Sequence, residues 1–431
     1  MKHPMKHILA FVLWCVACAA SAGTVANAAS PRTLLDDPLF KKLVAIRQDI
    51  HAHPELAGQE TRTAATVAAH LRELGLQVQT GLYGNSVVGI LRGGQPGKTI
   101  AWRAELDALP GDFNDPAPFK SRTPGVHHAC GHDIHIAIAL GIAEVLSKSR
   151  ASLHGTAVFI FQPEEETFKG AKALVDRGLL ASITPDEIYG VHVTALPVGQ
   201  IVVRENEVFA YARRVSIRLK DALSTPEIEK LTQRVRGELA RTRPGAKPWE
   251  IQNVGAPVIG LTAEGTAFQD YLILDRTFDT RTDNGELALG FNLYETTESR
   301  LASIVPRVER VVNASDHESE LLSVAFVQEH PTVRNNARLT RLAIDTLQRS
   351  RGADLVKPGY GQVPFFNDDF AYFQQKVPGV YFFLGGSNAA KNIVAMNHAS
   401  DFQVDEESIR VGVESFSSLI LARLGAQGAA L

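Results

Sequence analysis

Apolar residues recur at helical spacing near the start of the chain, at Leu43, Ile46 and Ile50 and again at Val67, Leu71 and Leu74, which predicts helix across 33–76. Short apolar runs then alternate with helical stretches. Residues 86–91, 99–105, 156–162 and 188–193 read as buried strands, and 134–147 and 171–177 as helices. That alternation predicts an α/β layer built on a mixed or mostly parallel sheet. Between about 210 and 313 the texture changes. Val215-Ser216-Ile217-Arg218-Leu219 alternates like a half-exposed strand, 226–239 is amphipathic, 271–278 and 286–294 read as strands, and 301–312 as a helix. This composition of elements predicts a small α+β insert. Beyond it, 333–348 is helical and 379–384 is another buried strand. The expected organisation is a discontinuous α/β catalytic domain in two pieces, 33–208 and 316–431, interrupted by a satellite domain at 209–315.

The first 28 residues have a different logic. Lys2 and Lys6 precede an apolar run at 8–20, and small residues follow at Ala20-Ser21-Ala22 and Ala26-Asn27-Ala28. This is the pattern of a secretory signal, cleaved after Ala22 or Ala28. The run is shorter than the roughly 20 residues a spanning helix needs. Export to a bacterial periplasm is therefore expected, with no membrane attachment once the signal is removed. Cys15 and Cys18 leave with it, so Cys130 remains as a lone thiol with no internal disulfide partner. In an oxidising compartment such a thiol must be buried or bound.

Composition adds two limits. At 431 residues, 45% hydrophobic and 21% charged, the chain is long enough for two or three folded domains. Its formal charge of −3 becomes −5 without Lys2 and Lys6. No basic surface suited to a phosphate backbone is available, which argues against nucleic acid as a partner.

Four segments place metal-binding groups where an apolar strand ends or a helix begins. Trp102-Arg103-Ala104-Glu105-Leu106-Asp107 ends the second strand. His127-His128-Ala129-Cys130-Gly131-His132-Asp133 opens a helix, with Cys130 and His132 expected to face one side of an extended segment. Phe161-Gln162-Pro163-Glu164-Glu165-Glu166 ends the third strand, and His192 lies in the fourth. Singly, each has an ordinary explanation: a buried thiol, a solvated acidic turn, a hydrogen-bonded core histidine. Together they fall at the carboxyl ends of strands, where open α/β sheets bind ligands. Thiolate, imidazole and carboxylate donors suit Zn²⁺ or a similar divalent ion. No G-x-S-x-G or H-E-x-x-H segment is present, and Gly93-Gly94-Gln95-Pro96-Gly97-Lys98-Thr99 is one residue short of a phosphate-binding loop and precedes its strand.

Arg47-Gln48-Asp49-Ile50-His51-Ala52-His53-Pro54-Glu55-Leu56 resembles an opening motif of the aminoacylase-type metallopeptidases. Arg103 to Pro110, His128 to Asp133, Phe161-Gln162-Pro163 with its acidic run, Asp368 to Phe373 and His398-Ala399-Ser400-Asp401-Phe402 follow in the order of that family. The similarity is to its amidohydrolase branch, which includes hippurate hydrolases, N-acyl-amino acid amidohydrolases and hydrolases of indole-acetyl-amino acid conjugates. The resemblance implies two divalent metal ions, zinc or manganese with cobalt as a further option. Cys130 would bridge them, with His132, Glu166, His192 and His398 as the other ligands. Glu165 would be the general base that takes a proton from the attacking water and returns it to the leaving amine. Asp107 would orient a ligand from behind. The implied reaction is hydrolysis of the amide bond of an N-acyl amino acid or related small amide, by a homodimer. A dipeptidase or carboxypeptidase on the same scaffold, and a non-catalytic metal- or ligand-binding descendant, are the alternatives.

The pattern breaks at one place. Family members carry a Gly-Gly-His-type loop early in the satellite, whose histidine helps hold the substrate carbonyl. Here that stretch reads Leu219-Lys220-Asp221-Ala222-Leu223-Ser224-Thr225-Pro226, and no histidine occurs from Val193 to Asp316. Arg276 and Arg281 are the candidate replacements. Glu105 and Asp368 also differ by one methylene each from the usual residues of their motifs.

Overall fold

The computed structural model describes residues 30–220 and 223–426. The segment read as a secretory signal, with Cys15 and Cys18, lies outside the described residues. The expected long first helix is two: α1 (Asp37–Ala52) and α2 (Thr61–Glu73). The break is at Pro54, which lacks an amide hydrogen and disfavours helix in the residue before it.

Strands β1 (Gln77–Thr80), β2 (Val87–Arg92) and β3 (Gln95–Glu105) follow, then helix α3 (His132–Ser147) and β4 (His154–Gln162). Helix α4 (Gly170–Asp176) leads to β5 (Glu187–Pro197) and β6 (Ile201–Val203). The chain then builds the satellite from β7 (Tyr211–Leu219), α5 (Thr225–Leu239), β8 (Leu272–Leu274), β9 (Asp279–Asp283), β10 (Glu286–Glu295), α6 (Ile304–Asn313) and β11 (Leu321–Glu329). It returns through α7 (Ala337–Arg351), β12 (Val356–Pro358), β13 (Gly379–Ser387) and α8 (Glu407–Leu424).

The catalytic layer is an eight-stranded mixed sheet in the order β1-β2-β4-β3-β5-β13-β6-β12. Its four central strands, β4, β3, β5 and β13, are mutually parallel, so their carboxyl ends meet at one edge. Helix α3 is buried along most of its length. At Gly141 an added Cβ would stand 2.4 Å from Val413 and 2.7 Å from Leu43, so glycine lets α1 and α8 close on α3. The apolar spacing does not predict α8, because buried Ser408, Ser415 and Ser417 interrupt its face.

The satellite sheet is antiparallel, ordered β8-β10-β7-β11 with β9 also on β10. It continues to Glu329, past the boundary expected at 315, because β11 pairs with β7 from Arg213 to Leu219. The strand expected at 271–278 is only Leu272–Leu274. The segment between α5 and β8 does not stay with the satellite. Val254, Leu261 and Phe268 pack into the catalytic core beside Phe209 and Phe383, and Leu261 and Phe268 carbonyls accept hydrogen bonds from Tyr360 and Gln362 amides at 2.8 Å. Among the described residues no helix is long and apolar enough to cross a membrane.

Candidate metal centre and active site

Strand ends bring the predicted donors together. Asp107 follows β3, Glu165 and Glu166 follow β4, and His192 sits at the middle of β5. Cys130 and His132 come from the turn into α3. That turn is not extended: Gly131 has φ 95°, and a Cβ there would lie 2.4 Å from Val193. The left-handed glycine is what aims both neighbours into the same cluster.

Cys130 is the hub. Its Sγ lies 3.2 Å from His192 Nε2 and 3.3 Å from His398 Nε2. His398 Nε2 is 3.6 Å from Glu166 Oε1. His132 Nε2 is 3.8 Å from Glu165 Oε2 and 3.9 Å from Glu166 Oε1. Cys130, His132 and His192 form one triad of converging donors, and Cys130, Glu166 and His398 form another. His398 arrives from the second piece of the domain and has φ 61°, a strained conformation of the kind that clusters at functional sites.

The histidines are turned to donate lone pairs inward. His132 Nδ1 faces the Asp107 carbonyl at 2.8 Å, and His192 Nδ1 faces the Val193 carbonyl at 2.8 Å. Each Nδ1–H is thereby used, which leaves Nε2 as the free ligand atom. Asp107 also accepts the Glu166 amide at 3.0 Å. Buried His132 Nε2 and Glu166 Oε1 have no hydrogen-bond partner among the described residues. Such orphans are costly in a neutral pocket and are what a cation would satisfy. Two donor triads that have Cys130 in common fit a pair of divalent ions.

Local charge agrees. Burial, then the Glu166 and Glu165 charges, push the Cys130 thiol well up. Burial also pushes up Glu165, reinforced by Asp368, Glu166 and Asp369. For His132, burial opposes charge, but Asp107, Glu105 and Glu166 carry it to about 10. A divalent cation inverts this balance and favours thiolate, carboxylate and neutral imidazole.

Several supporting residues were not singled out from sequence. His135, one turn after His132, joins Glu105 at 2.8 Å through Nδ1 and accepts the Val193 amide at 2.9 Å through Nε2. Asn397 donates to the Cys130 and Val193 carbonyls at 3.0 and 2.9 Å. The two altered motif positions belong to one buried network: Arg103 pairs with Glu105, with Asp368 at 2.9 Å and with Asp369 at 2.8 Å. Helical spacing marks His135; nothing local marks Asn397.

The cluster opens into a cavity of about 230 Å³ whose walls away from the donors are mostly apolar, including Phe168, Phe209, Val254, Leu261, Phe366 and Met396. Arg276 and Arg281 do not reach it. Arg281 lies on exposed β9, and Arg276 lines a separate cavity against α5 and β8. An imidazole does reach the adjoining space. His330, directly after β11, lines a cavity of about 300 Å³ with Glu166, Arg213 and Asn292, and its ring lies 4.4 Å from that of Phe168. It escaped sequence reasoning because the satellite was expected to end before β11.

The sequence profile of peptidase family M20/M25/M40 matches residues 101–422. Thermostable carboxypeptidase 1 of Saccharolobus solfataricus is 32% identical over 86% of this chain and 92% of its own. N-acetylcysteine deacetylase of Bacillus subtilis is 28% identical over 90% of this chain and 98% of its own. Among solved structures, the Bacillus subtilis YXEP protein, a dinuclear metal-binding peptidase from family M20, superposes with a TM-score of 0.71 at 24% identity, covering 90% of this chain and 99% of that one.

Proposed function

The chain belongs to peptidase family M20/M25/M40, and from that premise we propose that it is an exported amidohydrolase that cleaves N-acyl amino acids bearing an apolar acyl group. The observation that carries this reading is the composition of the cavity over the Cys130 cluster. Beyond the donor cluster its walls are mostly apolar, with Thr194, Asn367 and Asn397 as neutral polar exceptions, and among the described residues Glu165 and Glu166 are the only carboxylates that line it. A free ammonium, as on a dipeptide, would find no dedicated anionic partner there. An acylated nitrogen needs none, and the acyl chain gains about 25 cal/mol per Å² of apolar surface it buries.

Cys130, His132, Glu166, His192 and His398 would hold the two metal ions. When bound, these supply Lewis acidity that polarises the amide carbonyl and acidifies water. Glu165 lines the same cavity, beside His132, and takes the proton of the attacking water. It then passes that proton to the leaving amine, a role suited to a buried carboxyl that holds its proton more tightly than usual. Asp107 fixes the His132 ring and the Glu166 backbone. His330 and Asn292 face the adjoining space, where the amino-acid half of the substrate would lie. Metal identity, periplasmic location and a homodimer are parts of the same proposal.

A carboxypeptidase reading is supported by the name of the Saccharolobus relative. Amine release by the metal-stripped protein, reloaded with Zn²⁺, Mn²⁺ or Co²⁺, separates the two. We expect metal-dependent turnover in the order N-benzoyl and long-acyl, then N-acetyl amino acids, then free dipeptides. Faster turnover of free dipeptides would replace the amidohydrolase reading with the peptidase one.

A further inference from the structure

A second group of donors converges outside the Cys130 cluster. His51 comes from α1, Asp115 from the loop after β3, and His127 from the segment leading to Cys130. His51 Nε2 lies 3.2 Å and His127 Nε2 3.0 Å from one oxygen, Asp115 Oδ2. The side chains are 2%, 6% and 2% exposed for His51, Asp115 and His127. A tetrahedral ion with bonds of about 2.0–2.1 Å sets its ligand atoms roughly 3.3 Å apart, so this spacing is close to that of a bound ion.

Two further observations point to a ligand. His51 Nδ1 lies 2.8 Å from Asp133 Oδ2, and Arg47 Nε stands 2.8 Å from the same oxygen as an ion pair. With its N–H given to Asp133, His51 turns a lone pair toward a carboxylate oxygen. For a neutral ring that is an acceptor facing an acceptor, a contact relieved either by a second proton on His51 or by a cation between the two groups. A carboxylate behind a histidine is also the usual support of a metal-bound imidazole. Secondly, among the described residues neither ring nitrogen of His127 finds an aligned hydrogen-bond partner, although Nε2 is 3.0 Å from Asp115. The two groups are near each other without the alignment of donor and acceptor.

Asp115 itself is held in place, accepting the Ala117 amide at 2.9 Å and the Ser121 amide at 3.1 Å. His51 also lines a groove of about 490 Å³ with Phe119, which gives an ion a route from solvent. We propose that His51, Asp115 and His127 form an additional site for one divalent cation of the zinc class. Two nitrogens and one oxygen favour such an ion over calcium or magnesium, which need more oxygen donors. The ion would be structural. It would pin the Asp115 loop and α1 to the stretch that carries Cys130 and His132.

Metal content tests this independently of turnover. Zinc-loaded, desalted protein is assayed by mass spectrometry as wild type, Cys130→Ala, His127→Gln and Asp115→Asn. Folding of each variant is checked by circular dichroism. The expected result is that His127→Gln and Asp115→Asn each lose one equivalent relative to wild type. Both keep the sulfur-to-cobalt charge-transfer band of the Co²⁺-loaded Cys130 cluster. Cys130→Ala should lose that band and retain one equivalent of zinc. Unchanged metal content in the folded His127 and Asp115 variants would overturn the site, leaving a proton shared between His51 and Asp115 in its place. No zinc in folded Cys130→Ala would overturn it equally. If His127→Gln does not fold, the Asp115→Asn comparison decides alone.

Discussion

At the scale of single residues, the centre divides into groups that donate to metal and groups that aim the donors. Glu165→Gln keeps the size of the side chain but cannot take a proton. It should retain metal content and lower kcat by about 10²–10⁴, the usual contribution of a positioned general base. Cys130→Ala should instead lose cluster metal, read by mass spectrometry. Gly131→Ala adds a Cβ at 2.4 Å from Val193 and forces a side chain into φ 95°. We expect about 1–3 kcal/mol of destabilisation from the backbone alone, seen as a lower denaturant midpoint, together with weaker metal retention. Glu165 and Glu166 stood out in sequence because they end an apolar strand, and Cys130 and His132 because they open a helix, whereas His192 lies inside its strand and His398 was marked only by the family resemblance. Their supports were less legible: Asn397 reaches the Cys130 and Val193 carbonyls only after the two pieces of the domain have met.

At the scale of elements, the sheet is locked to α8 by a buried ion cluster. Glu187 at the start of β5 pairs with Arg423 of α8 at 2.6 Å and with Lys98 of β3 at 2.7 Å. Burial alone would raise the Glu187 carboxyl, but hydrogen bonds from Arg423, Lys98 and Tyr189 outweigh it and hold the group below its ordinary range. A depressed acid stabilises the fold fully above its unfolded value of about 4.3 and loses that contribution as pH falls through the folded value. Glu187→Gln should therefore flatten the acid limb of the stability curve below about pH 4.3. Arg423→Ala, which leaves Glu187 buried with less compensation, should cost about 3–5 kcal/mol in denaturant unfolding. Elements buried on nearly every side, such as α3 and β4, were readable within a few residues as continuous apolar runs. β11 was not: most of its positions are exposed or half-buried, so pairing with β7 defines it and hydrophobic alternation does not.

At the scale of the whole molecule, the satellite is tied to the catalytic layer at three places: through β7, through β11, and through the inserted Val254–Phe268 stretch. The third tie is also a wall of the substrate cavity, so movement of the satellite and the shape of that cavity are linked. β11 forms the outer edge of the satellite sheet and exposes Leu322 at 40% and Val327 at 58%. That edge is our candidate for the homodimer contact. Light scattering should give twice the chain mass for the wild type, and Val327→Lys should shift it to monomer without loss of cluster metal. A wild-type monomer at micromolar concentration would remove the dimer from the proposal. The sheet order carries one more consequence, for biosynthesis. β13 lies between β5 and β6, although some 175 residues of chain separate it from them. While a ribosome is still making the satellite, β5 has a bare edge along its length, rich in buried apolar residues, and His398 has not yet been translated. The nascent chain is thus at its most aggregation-prone in the middle of synthesis, and closure of the sheet and completion of the metal cluster become late, nearly simultaneous events.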